Sequence, residues 1–377
     1  MRLVHLGTDP ILETDHYRYL WDGALVANAL NPYAISPQAA FAGGAGEASA
    51  ELITAGRDIA SRINFPELRT IYPGTAQVLF GIAHLIAPWK VDGLRVVLLL
   101  AELCTFGLLI ALLGELGRPL LLVSLYWVNP LIVFCLANQV HVDALIPPLL
   151  LGAILLVQKN RSHGIAGALI GGAAGVKLWP LLMVPLCLGA VWPDKIKATK
   201  LVLGFGVVSA IAVAPLVFYS AQEGSGLVAY ATRWSNNNAI YAWSVTALRQ
   251  LGATPAVAEA LLRGLLSASI VLTVIWLALR VSRAALPLAS AALFATAALF
   301  YLSPAQFPWY VVWFLPFAVL AGNRPLLLAS ATLPSYFLFF PLSLRGETSL
   351  FMHYVSLIHA APVLLWLLLE QRRSKFR

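Results

Sequence analysis

The chain has 377 residues, 60% hydrophobic and 11% charged, where an ordinary soluble domain carries about 25% charged residues. With a mean hydropathy of +0.80 and repeated apolar runs, it reads as an all-α polytopic membrane protein; β-barrel strands would alternate polar and apolar residues, so a barrel is excluded. The net charge of +8 is read through its placement in short loops beside apolar runs, where Lys and Arg mark the cytoplasmic side, and nucleic acid is not an expected partner.

The chain opens on a polar stretch, Thr14-Asp15-His16-Tyr17-Arg18-Tyr19-Leu20-Trp21-Asp22-Gly23, with no signal peptide and no 18-residue apolar run before it. If helical, it places Asp15, Arg18 and Asp22 on one face, at offsets of three and seven residues. Residues 1–74 read as a large loop with a turn at Asn31-Pro32-Tyr33, a flexible segment from Phe41 to Gly46 and an amphipathic helix over 47–63. Eight of the 17 acidic residues precede Arg69. A short apolar helix over 73–88 barely reaches across the hydrocarbon at about 1.5 Å per residue. It is expected to lie in the interface.

Eleven spans are predicted, near 94–113, 120–137, 144–157, 164–180, 181–192, 200–219, 262–280, 285–302, 309–321, 325–342 and 354–369. Starting outside, they leave 13 basic residues in short inner segments, from Arg118 to the tail at Arg377. Seven lie in or beside outer ones after residue 88. The positive-inside bias therefore places residues 1–93 outside as an extracytoplasmic loop and 94–377 in the membrane bundle. The expected location is the plasma (inner) membrane. Cys104, Cys135 and Cys187 lie inside apolar runs and read as buried small hydrophobes.

On this topology the outer face gathers Asp15, Arg18, Asp22, Tyr72, His141, Asp143, Lys177, Arg233, the run Asn236-Asn237-Asn238 and Trp309-Tyr310. Polar groups from several helices at one depth fit a site at the mouth of a bundle. Each also has a plainer use. Asp15 and Asp22 could be solvated loop charges, Asp143 a helix cap, His141 an interfacial polar group and Lys177 a snorkelling cation. Arg233 and the asparagine run could form an ordinary polar loop. Glu102, mid-span among Leu and Cys, must face the bundle or a crevice, neutral or paired with a partner the sequence does not identify.

These residues carry a resemblance. Asp15-x-Tyr17-Arg18-Tyr19-x-Trp21-Asp22-Gly23, Asn31-Pro32-Tyr33 and Asn64-x-Pro66-Glu67-Leu68-x-Thr70-Ile71-Tyr72-Pro73 resemble bacterial glycosyltransferases of the GT-C superfamily. The similarity is greatest to polyprenyl-phosphate-mannose-type mannosyltransferases related to glycosyltransferase family 87. Trp127-x-Asn129-Pro130, His141-x-Asp143, Val176-Lys177-x-x-Pro180 and Ser303-Pro304-x-x-x-Pro308-Trp309-Tyr310 continue the pattern across nearly the whole chain. Two departures stand out. No first helix precedes Asp15, so one is expected to be missing, and Thr14 and Gly74 stand where relatives often have an acid and a second proline.

The resemblance implies a GT-C-like bundle whose site takes a hexose, mannose by analogy, from a polyprenyl-phosphate donor. The acceptor is an extracytoplasmic lipid, glycan or protein. Inverting single displacement needs one base, assigned to Asp15, and positive charge at the departing phosphate, which Lys177, Arg18 or Arg233 could supply. Arg18, Asp22, Tyr72, His141, Asp143, Lys177 and Arg233 are the expected substrate-binding residues, and Tyr17, Tyr19, Trp21 and Trp309 could stack on sugar faces. Asp15, Asp143 and His141 could ligate a divalent cation, but no metal site is assigned. The competing expectation is a transporter or flippase of lipid-linked sugars. Such proteins tend to carry internal repeats, and none is evident here.

Overall fold

The computed structural model describes residues 2–44, 46 and 49–375, with side chains through Glu370. It is 76% helical, and no strand occurs among the described residues. The chain forms two compact units. The first comprises residues 1–108, 133–184 and 194–233; the second comprises 109–132, 185–193 and 234–377.

In the first unit, helix α1 (Asp15–Ala27) has two buried faces. One carries Trp21 and Leu25 into an apolar cluster with Ala40, Ile53, Ala60 and Ile63. The other meets helix α2 (Gly74–Ile86) so closely that a Cβ on Gly23 would lie 2.4 Å from the Phe80 carbonyl oxygen. Glycine is therefore required there for contact, whatever its backbone freedom. Tyr19 stacks on Phe80 with ring centroids 4.8 Å apart, and Tyr72 meets both rings edge-on. The amphipathic helix expected over 47–63 is instead two short helices, Ala50–Ala55 and Arg57–Ser61. At Gly56, between them, an added Cβ would strike the Trp89 ring at 2.5 Å.

Helix α3 (Val91–Glu115) runs from the first unit into the second. Glu102 on it is 2% exposed and accepts from Arg2, whose Nη2 is 2.6 Å away. Arg2 is thus a partner that the sequence did not identify. Helix α4 (Ile146–Gln158) follows a tight turn at 142–145, then α5 (His163–Ala174), α6 (Lys195–Ser220) and α7 (Gly226–Arg233). Helices α5 and α6 lie side by side, with Gly164 against Lys200, Gly167 against Leu201 and Gly171 against Phe205. Contacts that rise together in both sequences mean that the two helices are parallel.

The second unit contains α8 (Ile240–Gln250), α9 (Pro255–Ser282), α10 (Leu288–Leu302), α11 (Arg324–Thr332) and α12 (Ser356–Lys375). Helix α9 begins earlier than the predicted span because Thr254 caps it, its side chain accepting from the Val257 amide, and Pro255 occupies its first turn. The asparagine run works as a clamp. Asn237 Nδ2 donates to the Gln306 carbonyl at 3.0 Å, Asn238 Nδ2 to the Pro304 carbonyl at 2.5 Å, and Asn238 Oδ1 accepts from the Ala242 amide that opens α8.

Five helical segments are long and apolar enough to cross a membrane: Val91–Glu115, Lys195–Ser220, Pro255–Ser282, Arg324–Leu344 and Thr348–Glu370. A sixth is obtained if Leu120–Trp127 and Pro130–Asn138, bent by 51°, count as one. The break falls at Asn129-Pro130, where Asn129 Oδ1 accepts from the Leu131 amide at 3.1 Å. The remaining apolar helices, among them α2, α5 and α10, have 10–17 residues. The chain is membrane-embedded by length and composition, and the predicted count of eleven exceeds the helices that can cross alone.

Candidate functional site

The site is built in the first unit, where α1 starts. Thr14 occupies the cap position and Asp15 the first turn, so the carboxylate lies at the positive end of the helix. One turn on, Arg18 Nε donates to Asp22 Oδ1 at 2.9 Å, the i,i+4 pair that the shared face predicts. Asp22 is fully buried. Its other oxygen accepts from the Thr70 hydroxyl at 2.5 Å and from Gln77 Nε2 at 2.9 Å, and Arg18 Nη1 donates to the Leu68 carbonyl. Asp22 therefore ties α1 to the 68–77 segment. That brings in Tyr72, whose hydroxyl lies 3.5 Å from that of Tyr19. The Asn31-Pro32-Tyr33 turn closes on its own side chain, the Tyr33 amide donating to Asn31 Oδ1, and the Tyr33 hydroxyl donates to the Tyr72 carbonyl at 3.0 Å. Three separate sequence motifs thus converge on one tyrosine.

Downstream, His141 reaches Asp15. His141 Nδ1 is 4.0 Å from Asp15 Oδ2. Asp143 is buried, and both its oxygens accept from Lys177 Nζ at 2.8 Å. His141, not Asp143, holds the cap position of the 142–145 turn, so the capping use does not account for Asp143. Lys177 is turned inward to Asp143 and does not serve as a snorkelling cation. Asp15 keeps about a third of its side-chain surface, at 35%, whereas His141 and Asp143 keep none. Half-buried, it is the one of these three side chains that reaches solvent.

Burial raises the Asp15 carboxyl from 3.8 to about 6; the Lys177 ammonium pulls against that and the Asp143 charge adds to it. Burial, Lys177 and His16 hold His141 well below the usual imidazole range, and burial first, then Arg95, brings His16 down to about 4. Both imidazoles are therefore neutral near pH 7. Burial, reinforced at Tyr19 by Tyr72 and then Asp15 and at Tyr72 by Asp15, raises both hydroxyls well above the usual phenol range and keeps them protonated. They are donors, not bases.

Arg233 ends α7 exposed, and no hydrogen bond or ion pair joins it to the cluster among the described residues. Trp309 and Tyr310 are buried in the second unit, where Tyr310 stacks on Trp313. Among the described residues no group of three or more His, Cys, Asp or Glu side chains is arranged to hold a metal ion. Sequence reasoning missed Gln77, an apolar-helix residue whose only signal was its polarity within a run, and His16, whose signal was its place beside Asp15. No family model, curated protein or solved structure matches this chain.

Proposed function

We propose that the chain is a polyprenyl-phosphate-sugar-dependent hexosyltransferase of the GT-C type, with Asp15 as its general base. The observation that carries this is the state of Asp15: an accessible carboxylate raised to about 6, beside a buried histidine and an Asp143–Lys177 pair. A base works best when its pKa lies near the operating pH. In the reaction the acceptor hydroxyl attacks the anomeric carbon, its proton passes to Asp15, and the bond from that carbon to the phosphate oxygen breaks. The electron pair leaves with the polyprenyl phosphate. Lys177 supplies positive field on the leaving side, and Tyr72, the less enclosed of the two tyrosines, offers a hydroxyl donor to a sugar oxygen, with Tyr19 behind it. Asp22 and Arg18 act as a positioning pair that holds α1 against the Tyr72 segment.

The same reading places residues 1–93 on the extracytoplasmic side of the plasma membrane. The shorter apolar helices complete a bundle of about eleven crossings, and mannose is the hexose favoured by the resemblance. Its test is direct: purified protein, a panel of polyprenyl-phosphate hexoses and lipid, glycan or peptide acceptors, with product read by mass. A hexose added to an acceptor supports the proposal. Absence of product with every pair removes it.

A further inference from the structure

Parallel packing of α5 and α6 leaves a groove along their outer side. It is a shallow groove, open along its length, with about 440 Å³ of free space, and is lined by Gly164, Ala168, Leu203, Gly204, Val207 and Val208, with Lys200 among its walls. Its floor is a close backbone contact: a Cβ on Gly204 would lie 1.9 Å from the Gly164 carbonyl oxygen. Leu203 and Val207 are 61% and 60% exposed, and α6 is among the helices able to cross a membrane, so these walls face hydrocarbon.

The groove has a charged end. Because α5 and α6 are parallel, Lys159 and Arg161 before α5 lie at the same end as Lys195, Lys197 and Lys200 in the first turns of α6. Burial first, then the nearby Lys197 charge, lowers the His163 imidazole from its ordinary range; Lys200 adds to this and Asp194 opposes it. Five basic residues against one acid, Asp194, leave this end at +4. Asp194 is committed to Lys197 at 3.2 Å and to the Ile196 and Lys197 amides at the start of α6. An apolar slot with a basic rim matches a ligand of one chemistry, an acyl chain ending in an anionic headgroup.

We propose that the α5–α6 groove binds an anionic phospholipid, one chain lying against Ala168, Leu203 and Val207 and the phosphate resting on Lys200. A second copy of the chain fits less well. In a two-fold pairing within one bilayer the two basic ends would lie at the same depth and repel. The proposal does not depend on the sugar-transfer reading, because it uses none of the residues about Asp15.

The test uses the full chain in bilayer discs containing equal phosphatidylglycerol and phosphatidylcholine, with retained lipid counted by native mass spectrometry. Wild-type protein should retain phosphatidylglycerol over phosphatidylcholine by roughly fivefold, the preference one basic contact near a headgroup confers. Lys200→Gln, at an exposed position, should bring the ratio towards one, and Ala168→Phe, which fills the slot, should lower retention of both lipids. Equal retention by the wild type, or a preference unchanged in Lys200→Gln, would overturn the proposal. So would a lipid-independent dimer that Ala168→Phe dissolves.

Discussion

Asp15 and Asp22 are separated by two helical turns, and their surroundings divide their labour. Asp22 has three donors and no exposure; Asp15 has a raised pKa and an open edge. The folded chain holds the Asp15 proton more tightly than the unfolded chain does. Stability therefore declines as pH rises from 3.8 to about 6 and stays at that lower level above. Asp15→Asn removes this penalty, so its melting temperature at pH 7 should equal or exceed that of the wild type. Transfer by the wild type should fall as pH drops through about 6, because protonated Asp15 cannot accept the acceptor's proton. An activity profile flat from pH 5 to 7 would count against the base role.

Asp22→Ala should behave in the opposite way, losing about 3 kcal/mol or more because Arg18 is left without its buried counter-charge. Denaturation of the purified protein measures this, and activity should track the folded fraction. The Arg18–Asp22 pair was legible in the sequence because an i,i+4 offset fixes it. The Lys177–Asp143 pair, 34 residues apart, was not. Apolar patterning places both residues at helix ends without saying which end meets which.

At the scale of elements, the long apolar helices were visible as runs, and α3 and α6 lie close to their predicted limits. Boundaries shifted where a local contact outweighed the pattern. The predicted 47–63 helix parts at Gly56 to admit Trp89, the 120–137 run bends at Asn129-Pro130, and the 164–180 span stops at Ala174 before a short turn over 179–182. Sequence periodicity records which face is apolar, but not how closely two backbones approach. The α1–α2 contact at Gly23 is such a case. Gly23→Ala should destabilise the protein by about 1–3 kcal/mol through overpacking against the Phe80 carbonyl, read as a lowered melting temperature. An unchanged melting temperature would mean that the two helices separate freely.

At the scale of the whole molecule, the issue is which polar groups face which side of the membrane. With Cys104, Cys135 and Cys187 replaced, a membrane-impermeant maleimide added to intact cells should label Ser61→Cys, whose position is exposed. It should label Asn160→Cys, also exposed, only after permeabilisation. The reverse pattern would put the Asp15 cluster on the cytoplasmic side and remove the extracytoplasmic acceptor.

The most direct measurement compares wild-type protein with Asp15→Asn in single-turnover transfer from a polyprenyl-phosphate hexose at pH 7, with folding of both checked by melting temperature. The Asp15→Asn rate should fall by about 10²–10⁴ in a protein that remains folded. A folded Asp15→Asn variant that transfers hexose at the wild-type rate would contradict the assignment of Asp15 as the base.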